Sequence, residues 1–177
     1  MVEKQIDVAI IDYGISNLFS VKRACDLIDL DAQITSSGEI INSAKSAILP
    51  GVGAFPYAME VIKQKKLDIT IKDFIQTGKP LLGICLGMQL LMDSSIEFYE
   101  NKGLGVISGT TKKFKLINDK NTKYPVPQIG WNKIFNEQKS WENTILENNS
   151  NEDFMYFVHS YYILTNDDII LSKTKPI

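Results

Sequence analysis

The segment Gly83-Ile84-Cys85-Leu86-Gly87 combines a possible nucleophile with a backbone pattern that would expose it. A cysteine stands between glycines two positions before it and two positions after it. The same spacing around serine forms the nucleophile elbow, a strained turn from strand to helix that projects the side chain from the top of a sheet. Free N–H groups at the start of the following helix, at Leu86 or Gly87, favour the thiolate. The pattern predicts a reactive Cys85, and the alternative is a buried core thiol.

A thiolate that attacks a carbonyl group needs hydrogen-bond donors for the oxyanion that develops. The glycines of Pro50-Gly51-Val52-Gly53 let main-chain N–H groups turn toward such a site. The N–H of Leu86, which follows the nucleophile, is the usual second donor of an elbow. By itself Pro-Gly-x-Gly is a common turn, so it indicates an oxyanion site only if it lies at the end of a strand next to Cys85.

The chain contains a single histidine, His159, in an aromatic segment. Histidine is the commonest proton shuttle for a cysteine nucleophile, so chemistry alone would pair His159 with Cys85. The alternative is a structural histidine at the end of a strand, and the distance along the sequence does not decide between the two.

Alternating strand and helix patterns define the elements that must position these residues. Such an alternation predicts right-handed βαβ units and a parallel sheet, whose sites form beyond the carboxyl ends of its strands. Three segments fall at such ends: 12–14, 50–53 and Cys85. The predicted strands are 6–11, 32–34, 46–49 and 80–84, and the predicted helices are 15–28, 56–65, 67–77 and one from 86 or 87 through 92.

The pattern changes after about residue 101. Short extended runs with turn residues replace the helices, and they predict an antiparallel or mixed annex on the same single domain, residues 1–177. The runs are 112–116, 128–134, 154–158 and 169–173, and the polar stretches 118–124 and 136–153 are expected to form loops or short surface helices.

Composition excludes several classes of function. The 177 residues are 44% hydrophobic and 23% charged with a net charge of −2, and the basic residues are scattered, so no nucleic-acid or anionic-membrane partner is indicated. The start lacks a signal-peptide pattern, and the longest apolar stretch, 80–92, is shorter than the roughly 18 residues that span a bilayer. Two cysteines, Cys25 and Cys85, give neither a disulfide framework nor a zinc motif. We expect a soluble cytoplasmic protein.

Five segments taken together resemble the class I (triad) glutamine amidotransferases, and most closely the glutaminase subunits of imidazole glycerol phosphate synthases. They follow one another in the order of that family and cover nearly the whole chain. The segments are Asp12-Tyr13-Gly14 with Asn17-Leu18, Pro50-Gly51-Val52-Gly53-Ala54-Phe55, Gly83-Ile84-Cys85-Leu86-Gly87-Met88-Gln89, Pro127-Gln128-Ile129-Gly130-Trp131-Asn132 and His159-Ser160-Tyr161.

The resemblance implies a fold and a reaction. The fold is a three-layer, flavodoxin-like α/β structure, with a mostly parallel sheet, helices on both faces and a small antiparallel or mixed annex. In the reaction, Cys85 attacks the side-chain amide of glutamine, a γ-glutamyl thioester and ammonia form, and water releases glutamate. No metal or organic cofactor is implied.

The resemblance also assigns residues. His159 becomes a residue on the substrate side and is not the general base. The implied oxyanion hole consists of Gly51, Val52 and Leu86, and the implied glutamine-binding residues are Gly53, Gln89, His159, Ser160 and Tyr161.

The implied partner is a (β/α)8-barrel synthase subunit, with which the chain forms a heterodimer. Ammonia passes to this subunit without release into water, and the synthase makes imidazole glycerol phosphate in histidine biosynthesis. Asn17, Gln128 and Trp131 match positions near the interface and ammonia gate. The glycine-rich segment 50–53 fits a gate that completes the oxyanion hole only when the partner is loaded.

The sequence departs from the family at its catalytic base. The family's base and its orienting acid lie in a His-Pro-Glu segment downstream of the His-Ser-Tyr strand, and this chain holds no such segment and no second histidine. Three explanations are open: the sequence lacks a C-terminal strand and helix that carry this segment, the protein lacks glutaminase activity, or His159 has been recruited. We expect the first.

Three other functions stay open from the sequence. The same half-reaction could serve another acceptor, such as a sugar in surface-polysaccharide synthesis. A non-catalytic module could bind and regulate a synthase. A cysteine hydrolase of the α/β-hydrolase kind would require an acid and then a histidine downstream of Cys85.

Overall fold

The computed structural model describes residues 5–115, 125–136 and 140–175 and divides into two compact units, residues 1–110 and 111–177. Each unit is described separately below. The loop expected at 118–124 lies outside the described residues, as do residue 116 of one expected run and residues 137–139 of the second polar stretch.

A four-stranded parallel sheet forms the centre of the first unit. Its strand order is β2-β1-β3-β4, so the chain starts in the middle of the sheet and adds strands on both sides. The strands are Val8–Ile11 (β1), Ala32–Thr35 (β2), Ser46–Gly51 (β3) and Leu81–Cys85 (β4), and the helices are Leu18–Leu27 (α1), Gly38–Ser43 (α2), Phe55–Gln64 (α3), Leu67–Gln76 (α4) and Leu86–Leu90 (α5).

Successive residues of β1 supply the apolar packing on the two faces of this sheet. Val8 and Ile10 pack in one cluster with Cys25 of α1, whose burial raises the pKa of its thiol. Ala9 and Ile11, which alternate with them, are fully buried. Helices α2 and α4 pack together, as do α3 and α4. The buried side chains of these three helices include Ile41, Phe55, Ile62, Ile71 and Phe74.

The predicted parallel α/β architecture is confirmed, and the differences are local. Helix α2 was not predicted, although Ser37 caps it by accepting a hydrogen bond from the Ile40 N–H. The helix expected to run through residue 92 ends at Leu90. Its last carbonyl groups accept hydrogen bonds from a distant segment: the N–H of Leu104 donates to Leu90 O at 2.8 Å, and the N–H of Val106 donates to Leu91 O at 2.9 Å.

Two further strands, and a third as far as Thr110, complete the first unit. Strand β5 (Met92–Ser95) pairs antiparallel with β6 (Asn101–Lys102) and has β7 (Ile107–Lys113) as its other neighbour. The N–H of Gly109 donates to the Asp93 carboxylate at 3.1 Å, which ties β7 to β5. The extended run expected at 112–116 corresponds to β7, which begins earlier, at Ile107, and ends at Lys113.

The second unit is built from antiparallel strand pairs, which confirms the predicted antiparallel or mixed annex. Its three-stranded sheet has the order β11-β8-β9, and the N–H of Phe114 donates to Ser160 O at 3.0 Å just before β10. The extended run expected at 169–173 is confirmed only at its end: residues 167–169 form one turn of 3-10 helix, and the strand begins at Lys173. The strands are Gln128–Phe135 (β8), Phe154–His159 (β9), Tyr161–Thr165 (β10) and Lys173–Thr174 (β11).

Candidate active site

Cys85 has the backbone of a nucleophile elbow. It ends β4, directly precedes α5, and has a φ of 54° and a ψ of −116°. Such a conformation costs on the order of 1–3 kcal/mol in a residue other than glycine and persists only where the surroundings impose it. The residue is exposed, which rules out the alternative of a buried core thiol.

The two flanking glycines are required by close backbone contacts. A Cβ atom at Gly87 would lie 1.7 Å from the Leu49 carbonyl oxygen, and one at Gly83 would lie 2.7 Å from the Met88 Cα. Helix α5 therefore packs directly on β3 and β4 without intervening side chains. The Gly-x-Cys-x-Gly spacing is explained by this contact.

Alanine at Gly87 is expected to lower the free energy of unfolding by about 3 kcal/mol or more, because a backbone oxygen occupies the place of the new methyl group. Urea denaturation measures the change. Gly78→Ala is the matched control: Gly78 has a φ of 75° but no atom within 4 Å of its Cβ position, so only about 1 kcal/mol of backbone strain is expected. Equal losses in the two variants would contradict the close contact.

The glycine-rich segment lies beside the cysteine. In the parallel register of β3 and β4, Pro50 pairs with Ile84 and Gly51 pairs with Cys85. Val52 is exposed, and Gly53 has a φ of 92°, which favours glycine. The main chain of 51–53 therefore borders the elbow, where a donor to an oxyanion would be needed.

The loop after β1 contacts the same segment. The Ser16 hydroxyl donates to Pro50 O at 3.0 Å, and a Cβ at Gly53 would lie 3.7 Å from Ile15 Cγ2. The Asp12 carboxylate accepts a hydrogen bond from the Gly14 N–H at 2.8 Å and shapes the loop. The three strand ends that the sequence pointed to thus converge.

Glu97 also borders this region, although no sequence motif identified it. Its carboxylate accepts a hydrogen bond of 2.7 Å from the Phe55 N–H, in the first turn of α3 just after Gly53. A carboxylate at a helix N-terminus is favourable because the free N–H groups are partly positive. The two residues are 42 positions apart, so no local pattern could have revealed the pairing.

The other candidate residues of the first unit lie on the same elements. Leu86 begins α5, and Gln89 is half-buried on that helix one turn after Cys85. Asn17 is exposed and precedes α1 without a capping hydrogen bond from its side chain.

His159 of the second unit has a fixed ring orientation. Its Nδ1 lies 2.8 Å from Tyr161 O, which can only accept, so Nδ1 carries the hydrogen. The ring packs edge-on against Phe114, with centroids 5.1 Å apart. Its buried Nε2 has no hydrogen-bond partner among the residues that the structure describes. Gln128 stands opposite His159 in the β8–β9 pair and is buried.

Strands β8 and β9 expose a row of apolar side chains. Trp131 is 64% exposed and packs edge-on against Tyr156 directly opposite, with ring centroids 5.6 Å apart. We call this row the β8–β9 apolar face; its members are Ile129, Trp131, Phe154, Tyr156 and Val158.

Within residues 5–115, 125–136 and 140–175, no group of three or more histidine, cysteine or acidic side chains could hold a metal ion. In the same ranges no helix has the length and apolarity to cross a bilayer.

Comparison with known proteins gives the family. The model of the family "Glutamine amidotransferase class-I" matches residues 9–175, through both compact units. The chain belongs to the class I glutamine amidotransferases. Solved structures agree on the fold alone: a glutamine amidotransferase crystal structure has a TM-score of 0.69 at 14% identity over 94% of this chain and 79% of that one. The PurLQS structure from Thermotoga maritima has a TM-score of 0.63 at 17% identity, over 97% and 75%.

This amidotransferase also has relatives of higher identity. The imidazole glycerol phosphate synthase subunit HisH of Shouchella clausii is 40% identical over 94% of this chain and 79% of its own length. The proteins of the same name from Listeria innocua and Bacillus cereus are 40% and 41% identical, over 94% and 92% of this chain and 76% and 74% of theirs. Recognition of this family from the motifs is therefore confirmed.

Proposed function

We propose that this amidotransferase is the glutaminase subunit of an imidazole glycerol phosphate synthase. One observation carries the proposal: relatives with that name match at about 40% identity over more than nine-tenths of the chain. The local geometry supports it, because an exposed cysteine in a strained elbow lies beside a glycine-rich strand end. Such a pair suits attack on a carboxamide.

The reaction assigns distinct roles to these groups. The Cys85 thiolate adds to the side-chain carbonyl carbon of glutamine, and the oxygen becomes an oxyanion. The N–H of Leu86 and an N–H of the Gly51–Val52 segment donate to that oxyanion. The carbon–nitrogen bond then breaks, the nitrogen takes up the proton that the Cys85 thiol gave up and leaves as ammonia, and a γ-glutamyl thioester remains. Water hydrolyses the thioester to glutamate and frees the thiol.

The remaining candidate residues are assigned to substrate and partner. By the likeness of their motifs, Gly53 and Gln89 hold glutamine, and residues 159–161 receive its α-amino and α-carboxylate groups. The structure is compatible with the assignment of His159, since a fixed ring keeps its unpaired Nε2 in one place. We place glutamine hydrolysis by this protein in the cytoplasm.

Ammonia transfer requires a synthase subunit, for which we propose a (β/α)8-barrel protein. Asn17, Gln128 and Trp131 are assigned to the interface and ammonia gate. The β8–β9 apolar face supports the assignment of Trp131, because contiguous exposed aromatic side chains are typical of protein interfaces.

Truncation of Trp131 to alanine is expected to weaken binding of the synthase subunit about 30-fold, or about 2 kcal/mol, because large aromatic side chains contribute most of the energy of an interface. Isothermal titration calorimetry with the cognate synthase measures the affinity. Ile145→Ala, which removes another exposed apolar side chain outside this face, serves as the control. An unchanged affinity in Trp131→Ala would remove Trp131 from the interface.

Growth of a histidine auxotroph tests the biological role. A strain without its own glutaminase subunit should grow without histidine when it receives the full coding sequence of this protein with its cognate synthase, and should not grow with Cys85→Ala. Release of ammonia from glutamine without restored growth would contradict the role in histidine biosynthesis and favour another acceptor.

A further inference from the structure

Tyr13 carries a buried polar group for which the reaction above gives no role. Its side chain is completely buried two residues after β1. Among the described residues no group meets hydrogen-bond geometry with its hydroxyl, although the Ser16 hydroxyl is near enough to interact with it, and within residues 5–110 it is the one buried side-chain polar atom in that condition. Native proteins pair nearly all such groups, so an unpaired one calls for an explanation.

The hydroxyl lies at the backbone of the proposed oxyanion segment. A Cβ atom at Gly51 would lie 2.5 Å from Tyr13 Oη and 2.7 Å from the main-chain nitrogen of Gly87. The Tyr13 oxygen therefore occupies the space next to the Gly51 Cα, beside the first turn of α5. Gly51 is also the residue that pairs with Cys85.

The rest of this loop lies against the same segment. Ser16 donates its hydroxyl hydrogen to carbonyl oxygens, that of Ile15 at 2.7 Å and that of Pro50 at 3.0 Å, and a Cβ atom at Gly53 would lie 3.7 Å from Ile15 Cγ2. With Pro50 tethered, a change of backbone direction is confined to the peptide groups that follow it. Gly51 has the conformational freedom for such a change.

The phenol is a permanent donor. Burial raises the pKa of Tyr13 to about 12; hydrogen bonding with the nearby Ser16 hydroxyl opposes this shift, and the charge of Cys85 adds to it by a smaller amount. The group thus keeps its hydrogen at any pH at which the protein works. A hydroxyl that keeps its hydrogen and lacks an acceptor stabilises any backbone arrangement that gives it an acceptor.

We propose that Tyr13 is a positioning residue for the oxyanion hole: its hydroxyl donates to the Gly51 carbonyl oxygen when the Gly51–Val52 peptide rotates to present the Val52 N–H to the substrate. The N–H and C=O of one peptide group point in opposite directions, so aiming the N–H at the substrate turns the carbonyl oxygen away from it. In the rotated form the hydroxyl gains a carbonyl acceptor and therefore favours that form. The inference rests on the glutaminase function proposed above.

Two electrophiles separate this role from others. Diazo-oxonorleucine carries a ketone where glutamine carries its amide carbonyl, whereas iodoacetamide reports on the thiol alone. With the cognate synthase and its acceptor ligand bound, Tyr13→Phe is expected to slow the maximal rate of Cys85 labelling by diazo-oxonorleucine about tenfold. The half-saturating concentration and the rate with iodoacetamide should stay within twofold. Tyr57→Phe, which removes an exposed hydroxyl, is the matched control and should change neither rate.

Each other result overturns the proposal in a recognisable way. An unchanged maximal rate with diazo-oxonorleucine would show that Tyr13 does not position the peptide while the glutaminase function stands. An equal slowing with both electrophiles would mean that the hydroxyl acts on the thiol. If the unmodified protein reacts with iodoacetamide at Cys85 but never with diazo-oxonorleucine, the glutaminase function fails and this inference fails with it. Unfolding of Tyr13→Phe in urea at or above the wild-type midpoint confirms that the fold is intact.

Discussion

Cys85→Ala is expected to reduce glutamine hydrolysis by about 10⁴-fold or more, because the γ-glutamyl thioester cannot form without the sulfur. The fold should survive, since the thiol is exposed and alanine removes only its sulfur atom. Release of glutamate by the complex with the synthase and its acceptor ligand measures the loss. The synthase reaction with ammonium salt supplied in place of glutamine should persist.

Cys25 provides a matched control for this variant. It is the second cysteine of the chain, and it is buried against β1 rather than exposed. Cys25→Ala should lower the free energy of unfolding by about 1 kcal/mol through lost packing and leave the turnover of folded protein unchanged. Glutaminase activity that persists in Cys85→Ala and disappears in Cys25→Ala would reverse the assignment of the nucleophile.

Gly51→Ala is expected to reduce the kcat for glutamine about 10²- to 10³-fold, the effect of losing one oxyanion donor. The new methyl group would lie 2.5 Å from Tyr13 Oη, 2.7 Å from Gly87 N and 2.9 Å from Leu86 Cβ, so the peptide that borders Cys85 must move. Steady-state kinetics of the complex with the synthase and its acceptor ligand measure kcat and KM separately. KM should change much less than kcat, because the substrate is held by other residues.

Gly78→Ala controls for the general effect of a methyl group added to a glycine. Gly78 lies in the turn after α4, has open space around its Cβ position, and is distant in sequence from the elbow. This variant should keep the wild-type kcat. A wild-type kcat in Gly51→Ala would show that the 51–52 peptide plays no part in stabilising the oxyanion.

The first half of the fold could be predicted because its signals are local. Helices α1 and α4 repeat apolar residues at helical spacing, and Gly78 and Pro80 mark the stop after α4. The elbow was predictable from the spacing of its glycines around Cys85, although only the contact at Gly83, with Met88, is local; the contact at Gly87 is with Leu49 of β3. The position of Cys85 beside Gly51 then follows from parallel pairing.

Features that depend on distant contacts were not predictable from the sequence. Helix α5 ends early because residues 104–107 take its last carbonyl groups, and no sequence pattern near Leu90 indicates this. The Glu97 carboxylate binds the first turn of α3, and the Tyr13 hydroxyl lies next to Gly51. Both contacts form only when the whole unit folds. In the second unit the apolar residues near Ile169 suggested a strand, but the chain forms a single helical turn there.

Labelling by diazo-oxonorleucine, followed by intact mass and peptide mapping, is the most direct test of a glutaminase centred on Cys85. With the synthase and its acceptor ligand present, one adduct should form, it should map to Cys85, and excess glutamine should prevent it. Absence of an adduct under these conditions, or an adduct at Cys85 that glutamine does not prevent, would contradict the proposed function.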